Sequence, residues 1–125
     1  DIGTREKWPE EYLRKNRETT DIQRARFTQA VKMGVNIAYG TDSGVYPHGQ
    51  NGRQFVYMVR YGMTPMQAIQ SATIRAAELL GKDDALGSIA PGRFADLVAV
   101  DGDPLQDIRV LENVAHVMQG GNTVR

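Results

Sequence analysis

A helix that runs into an apolar strand through a single glycine is the feature that most constrains this chain. Asp21 stands where an N-cap belongs, and Ile22, Ala25, Phe27, Ala30 and Val31 recur at helical spacing behind it. Gly34 sits where a left-handed residue ends a helix. The run Val35-Asn36-Ile37-Ala38-Tyr39 follows at once and reads as a buried strand. A helix joined so tightly to a buried strand is the signature of a βα repeat. The strand closes on Gly40-Thr41-Asp42-Ser43-Gly44, a small-residue turn with one carboxylate. In a barrel of parallel strands, a polar residue at the C-terminal end of a strand occupies the catalytic position. Asp42 is therefore the first candidate site residue.

The rest of the chain divides into two characters. Upstream, a short helix is expected from about Pro9 to Arg17, with Pro9 in the first turn. After the turn comes a glycine-rich loop over 43–52, carrying His48, then a short helix from about Arg53 to Tyr61. Thr64-Pro65-Met66-Gln67 combines a Thr N-cap, Pro at the first helical position and Gln three residues after the cap. That is a capping box, and it predicts a helix to about Leu80. From Ala85 onward helical periodicity disappears. Short apolar runs over 97–100 and 114–118 alternate with turn chemistry at Ala90-Pro91-Gly92, Asp101-Gly102-Asp103-Pro104 and Gly120-Gly121-Asn122. These predict strands and hairpins. The boundary falls near 82–84, giving 1–82 and 83–125 as the expected units.

Composition excludes several functions. Fifteen basic residues balance fifteen acidic ones, which argues against a nucleic-acid partner. With no cysteine there is no disulfide, thiol nucleophile or thiolate metal site. No apolar run approaches the roughly 20 residues of a membrane span. The charged start of the sequence does not match a signal peptide, and a cytoplasmic setting is expected.

Each chemical candidate has a plain alternative. Asp42 before Ser-Gly can simply cap its own turn. A nucleophile elbow needs Ser at the centre of G-x-S-x-G, where this chain has Asp, so Ser43 is not read as a nucleophile. Asp42-Ser43-Gly44 also matches the Asp-Ser/Thr-Gly triplet of aspartic proteases, which would require a homodimer to pair two carboxylates. That fold is nearly all β, against at least half helix here. His48, six residues past Asp42, is either an exposed loop residue or a substrate contact above the same pocket. His116 reads as a surface or packing position on a strand. Asp96, Asp101 and Asp103 read as turn and strand-end hydrogen-bonding groups, because a calcium loop would need more oxygen ligands.

The order of motifs resembles one family. It includes Ile37-Ala38-Tyr39-Gly40-Thr41-Asp42, then Gly62-Met63-Thr64-Pro65-Met66-Gln67-Ala68-Ile69, then Ala72-Thr73, Ala76-Ala77 and Leu80-Gly81. It continues with 86–98 and with Asp101-Gly102-Asp103-Pro104-Leu105. Over about 21–125 the chain resembles the amidohydrolase superfamily, in its imidazolonepropionase-like and Xaa-Pro dipeptidase-like branch. The Tyr46-Pro47-His48-Gly49 loop, with Asn51 after it, favours the peptidase side.

The resemblance implies an α/β fold. The chain would be the C-terminal part of a (β/α)8 TIM barrel, its last helix-strand-helix unit, followed by strands of a small β-sandwich. It implies a hydrolase that cleaves amide or peptide bonds with metal-activated water, as a dipeptidase or carboxypeptidase does. Asp42 would ligate a divalent metal, usually zinc, and pass the water's proton to the leaving amine. His48 would contact a small amide or dipeptide substrate. The family's other metal ligands follow earlier strands, which these residues do not include. The 125 residues are thus expected to be inactive alone, to need an N-terminal barrel portion and to be prone to self-association through open strand edges. A non-catalytic interaction module is the remaining alternative.

Overall fold

The computed structural model describes residues 7–44 and 48–125. The chain forms two compact units, Asp1–Val35 and Asn36–Arg125.

The first unit is built on one helix, α1 (Glu10–Lys32). Sequence signals predicted two helices here, with Asp21 capping the second. The helix is instead continuous, and side-chain chemistry across the expected gap explains why. Arg14 reaches Glu18 at 2.7 Å and Lys15 reaches Glu11 at 2.9 Å, both one turn apart. Such pairs each stabilise a helix by about 0.2–0.5 kcal/mol. The Thr19 and Thr20 hydroxyls donate back to the carbonyls of Lys15 (2.8 Å) and Asn16 (2.5 Å), so neither breaks the ladder. Asp21 pairs with Arg24 at 3.3 Å. The end is as expected. Gly34 is left-handed at φ 71°, and its N–H donates to Val31 while that of Val35 donates to Ala30, a Schellman closure.

In the second unit, residues 36–42 form no strand ladder. The predicted strand lacks a partner because a ladder needs a neighbouring strand, and among the described residues none lies beside it. It docks on helices instead. Three short helices follow: α2 (Arg53–Arg60), α3 (Pro65–Ala72) and α4 (Ile74–Leu79). The capping box at Thr64 forms as predicted. Thr64 Oγ1 accepts from Gln67 N at 3.2 Å, and Thr64 N donates to Gln67 Oε1 at 2.8 Å.

The single helix expected from Thr64 to Leu80 is broken at Thr73, whose φ and ψ are −119° and −92°. Thr73 Oγ1 donates to the Ile69 carbonyl at 2.9 Å, taking the acceptor that its own N–H would use. That N–H turns to Gln70 at 3.2 Å. Gly87 packs into the break: a Cβ there would lie 2.9 Å from the Thr73 carbonyl and 3.1 Å from Ile74 Cα.

Strand β1 (Leu97–Val100) pairs with β2 (Val114–Gln119), and β2 with β3 (Asn122–Thr123), all antiparallel. A bulge falls between Ala99 and Val100. Asp96 Oδ1 ties the start of β1 to the Gly120 N–H at 2.7 Å, and Asp103 Oδ1 accepts from Leu105 N at 2.9 Å, so both serve the structural roles expected of them. His116 is exposed on β2. Between β1 and β2 lies a 3-10 helix, Ile108–Glu112, which sequence periodicity did not indicate. It packs against α2. The buried residues of this unit are Met58, Met63, Ala68, Ser71, Ala77 and Ile108. Among the described residues, no helix is long and apolar enough to cross a membrane.

Two stability predictions come from this packing. Gly52 has φ −53°, which suits any residue, yet a Cβ there would lie 2.4 Å from the Leu111 carbonyl. Gly52→Ala should therefore destabilise the protein by about 1–3 kcal/mol through overpacking. Gly40→Ala, with nothing within 4 Å, is the matched control. Denaturant midpoints that shift equally in both variants would remove the steric explanation. The second concerns Asp107, whose carboxylate caps the 3-10 helix and pairs with Arg109 Nη2 at 2.7 Å. The Arg109 guanidinium, followed by its backbone N–H, holds the Asp107 carboxyl at about 2, below its ordinary 3.8. The folded value is the lower one, so the cap's contribution is complete above 3.8 and fades as pH falls toward 2. An NMR titration of Asp107 should show a midpoint near 2 that rises in Arg109→Ala.

Candidate functional site

The segment before Asp42 is held at two points, Asn36 and Tyr39. Asn36 Nδ2 donates to Glu78 Oε2 on α4 at 3.4 Å. The Arg75 guanidinium beside Glu78, and then Asn36, lower the Glu78 carboxyl below its ordinary range. Three residues on, the Tyr39 N–H donates to the Ser71 carbonyl at 2.9 Å. Ser71 is 1% exposed, and in an unbroken helix its carbonyl would serve Arg75. The break at Thr73 thus gives the segment a place to bind.

Tyr39 makes two further contacts. Its ring stacks on Phe55 of α2, with centroids 4.5 Å apart and planes at 29°. Its hydroxyl donates to the Asn51 carbonyl in the loop after the turn. Sequence reading gave Tyr39 and Phe55 no part in the site and read Asn51 only as a residue of the loop around His48. The available signal was a tyrosine in an apolar run, since a half-buried phenol seeks a partner for its hydroxyl.

Asp42 lies just beyond this anchored stretch. Its side chain is exposed and its backbone is left-handed, with φ 47°. Few non-glycine residues adopt that conformation, and Asp and Asn tolerate it best. His48 is also exposed, and its Nδ1 lies 3.4 Å from Ser43 Oγ. The loop therefore folds back and brings His48 to the immediate neighbour of Asp42. Val45, Tyr46 and Pro47, including the Tyr-Pro pair of the sequence motif, lie outside the described residues.

A polar cleft of about 150 Å³ opens between Gly49, Gln50, Gly52, Arg53, Glu112 and Asn113. Ligand pockets start at about 300 Å³, and neither Asp42 nor His48 lines this one. We read it as the gap between the loop and the 3-10 helix. Arg53, Arg60 and Arg75 are exposed, as expected of solvated helix faces. Among the described residues, no three His, Cys, Asp or Glu side chains cluster closely enough to hold a metal ion. Asp42 offers one carboxylate.

Residues 5–124 match the amidohydrolase family. The chain belongs to that family. It is 52% identical to a Xaa-Pro dipeptidase whose crystal structure has methionine bound in the active site; the match has a TM-score of 0.80 and covers 82% of this chain and 25% of that one. It is 40% identical over 97 residues to ochratoxinase of Aspergillus niger, covering 74% of this chain and 20% of that enzyme. Imidazolonepropionase of Geobacillus kaustophilus is 39% identical over 66 residues, half of this chain and 16% of its own length. The chain therefore spans about a quarter or less of these relatives. Family membership and the four helices leave the aspartic-protease reading of Asp42-Ser43-Gly44 without support.

The left-handed backbone at Asp42 separates two substitutions. Asp42→Asn should leave stability nearly unchanged, whereas Asp42→Ala should cost about 1 kcal/mol more, because Ala resists this conformation. Equal unfolding free energies for the two would mean that the turn relaxes freely.

Proposed function

We propose that these residues are the C-terminal portion of a metal-dependent amidohydrolase that cleaves the amide bond of a small substrate, most simply a dipeptide. In this reading 1–82 close a (β/α)8 barrel and 83–125 supply strands of a β-sandwich. The carrying observation is Asp42. It stands in a left-handed turn at the end of a docked segment, in a chain half identical to a Xaa-Pro dipeptidase. Backbone strain of this kind, held by its surroundings, recurs at active sites. The exposure of Val35, at 52%, supports a barrel position that neighbouring strands would cover.

Asp42 fits a divalent metal, zinc in this reading, as one corner of a site. A catalytic zinc takes about three protein ligands, so the others would come from the N-terminal barrel portion. The ion supplies Lewis acidity and lets water lose a proton near neutral pH. The rest falls to this chain's own groups. The Asp42 carboxylate accepts the proton of the attacking water and delivers it to the departing amine nitrogen. His48, one hydrogen-bond length from Ser43, contacts the substrate beside it.

In the complete enzyme, Asp42→Asn should lower kcat by a factor on the order of 10³ while the fold persists. A chelator should abolish dipeptide hydrolysis and added divalent metal restore it. The 125 residues alone should show no turnover. Chelator-insensitive activity, or full activity in Asp42→Asn, would sink the assignment.

A further inference from the structure

We propose that Tyr39 is a positioning residue: its hydroxyl, on the Asn51 carbonyl, sets the loop that presents His48 to the substrate. The inference rests on the reading of Asp42 and His48 just given and extends it to a residue that does not touch the substrate. Tyr39 is placed to do this because three contacts fix it from three directions. Its N–H is bound to Ser71 at the helix break, its ring lies on Phe55, and its hydroxyl points to Asn51.

The loop is gripped from its other side as well. Asn51 is followed by Gly52, whose Cα faces the Leu111 carbonyl too closely for a side chain. Arg53 then reaches back to Gln50 Oε1 at 3.1 Å and across to Glu112 Oε2 at 3.7 Å. The Asn51 carbonyl thus sits between the Tyr39 hydroxyl and a wedge of backbone. Three residues upstream, His48 has one described contact, to Ser43. Its position follows from where the Asn51 end of the loop is held. Asp42 has separate support, since it follows by three residues the Tyr39 main chain, whose N–H is bound to the Ser71 carbonyl. The side-chain hydroxyl therefore governs His48 and substrate binding, while the main chain governs Asp42 and turnover.

This division predicts a split in the kinetics. Tyr39→Phe removes the hydroxyl and keeps both the Phe55 stack and the backbone bond. In the complete enzyme, with a Xaa-Pro dipeptide as probe, KM should rise about fivefold, as for one lost neutral hydrogen bond, with kcat unchanged. His48→Ala should raise KM at least as far. The double variant should match His48→Ala, because Tyr39 acts only through His48. If His48→Ala raises KM but Tyr39→Phe does not, or if the two effects add, this inference is overturned and the reading of His48 stands. If His48→Ala leaves KM unchanged, the reading of His48 falls and takes the inference with it. A fall in kcat on Tyr39→Phe at unchanged KM would also overturn it, by placing the hydroxyl on the Asp42 side.

Discussion

The hydrogen bond from the Tyr39 N–H to the Ser71 carbonyl is the contact on which the candidate site depends. It exists because the helix after Thr64 is interrupted. Thr73 takes the Ile69 carbonyl with its side chain, the backbone turns, and Gly87 fills the corner that opens. A continuous helix would have directed the Ser71 carbonyl at Arg75 and offered nothing to the segment before Asp42. Leaving such a buried carbonyl unpaired costs about 1–3 kcal/mol, so the segment is drawn to one register. That register fixes how far past the helices the chain runs before it reaches Asp42.

Some of this was legible in the residues. The Thr64 capping box is a local device, made from four consecutive residues, and it formed as its chemistry dictates. Gly34 ended α1 for the same reason. Local signals failed where two of them competed. Asp21 looks like a cap, but the helix runs through it, and its carboxylate pairs with Arg24 one turn on. Thr73 sits on the apolar face of a continuous periodic pattern, and periodicity says nothing about whether a hydroxyl will bond back to a carbonyl. The apolar run 35–39 marks a segment that must be covered; here residues 37–39 are half-buried against helices through single contacts rather than a strand ladder, and Val35 stays exposed.

The site was legible to a different depth. Asp42 stood out because a carboxylate ended an apolar run in a turn of small residues. The left-handed backbone behind it could not be read, since Asp adopts it without the glycine that would have flagged it. Tyr39 was hidden by its own neighbours: in Val-Asn-Ile-Ala-Tyr it passes for one more apolar residue. Its contacts emerge only when Asn51 and Phe55, distant by 12 and 16 positions in sequence, meet its hydroxyl and its ring.

Charge contributes little to this arrangement. The described ion pairs of the second unit, Arg75–Glu78, Arg53–Glu112 and Arg109–Asp107, are partly or largely exposed. Pairs of that kind contribute between zero and about 1 kcal/mol each and weaken with salt. What holds the segment before Asp42 and the end of the loop after His48 is a backbone hydrogen bond, a ring stack and a glycine pressed against a carbonyl. Such contacts act over short range and tolerate little displacement. That suits a carboxylate whose proposed task is to receive a proton and return it from one position.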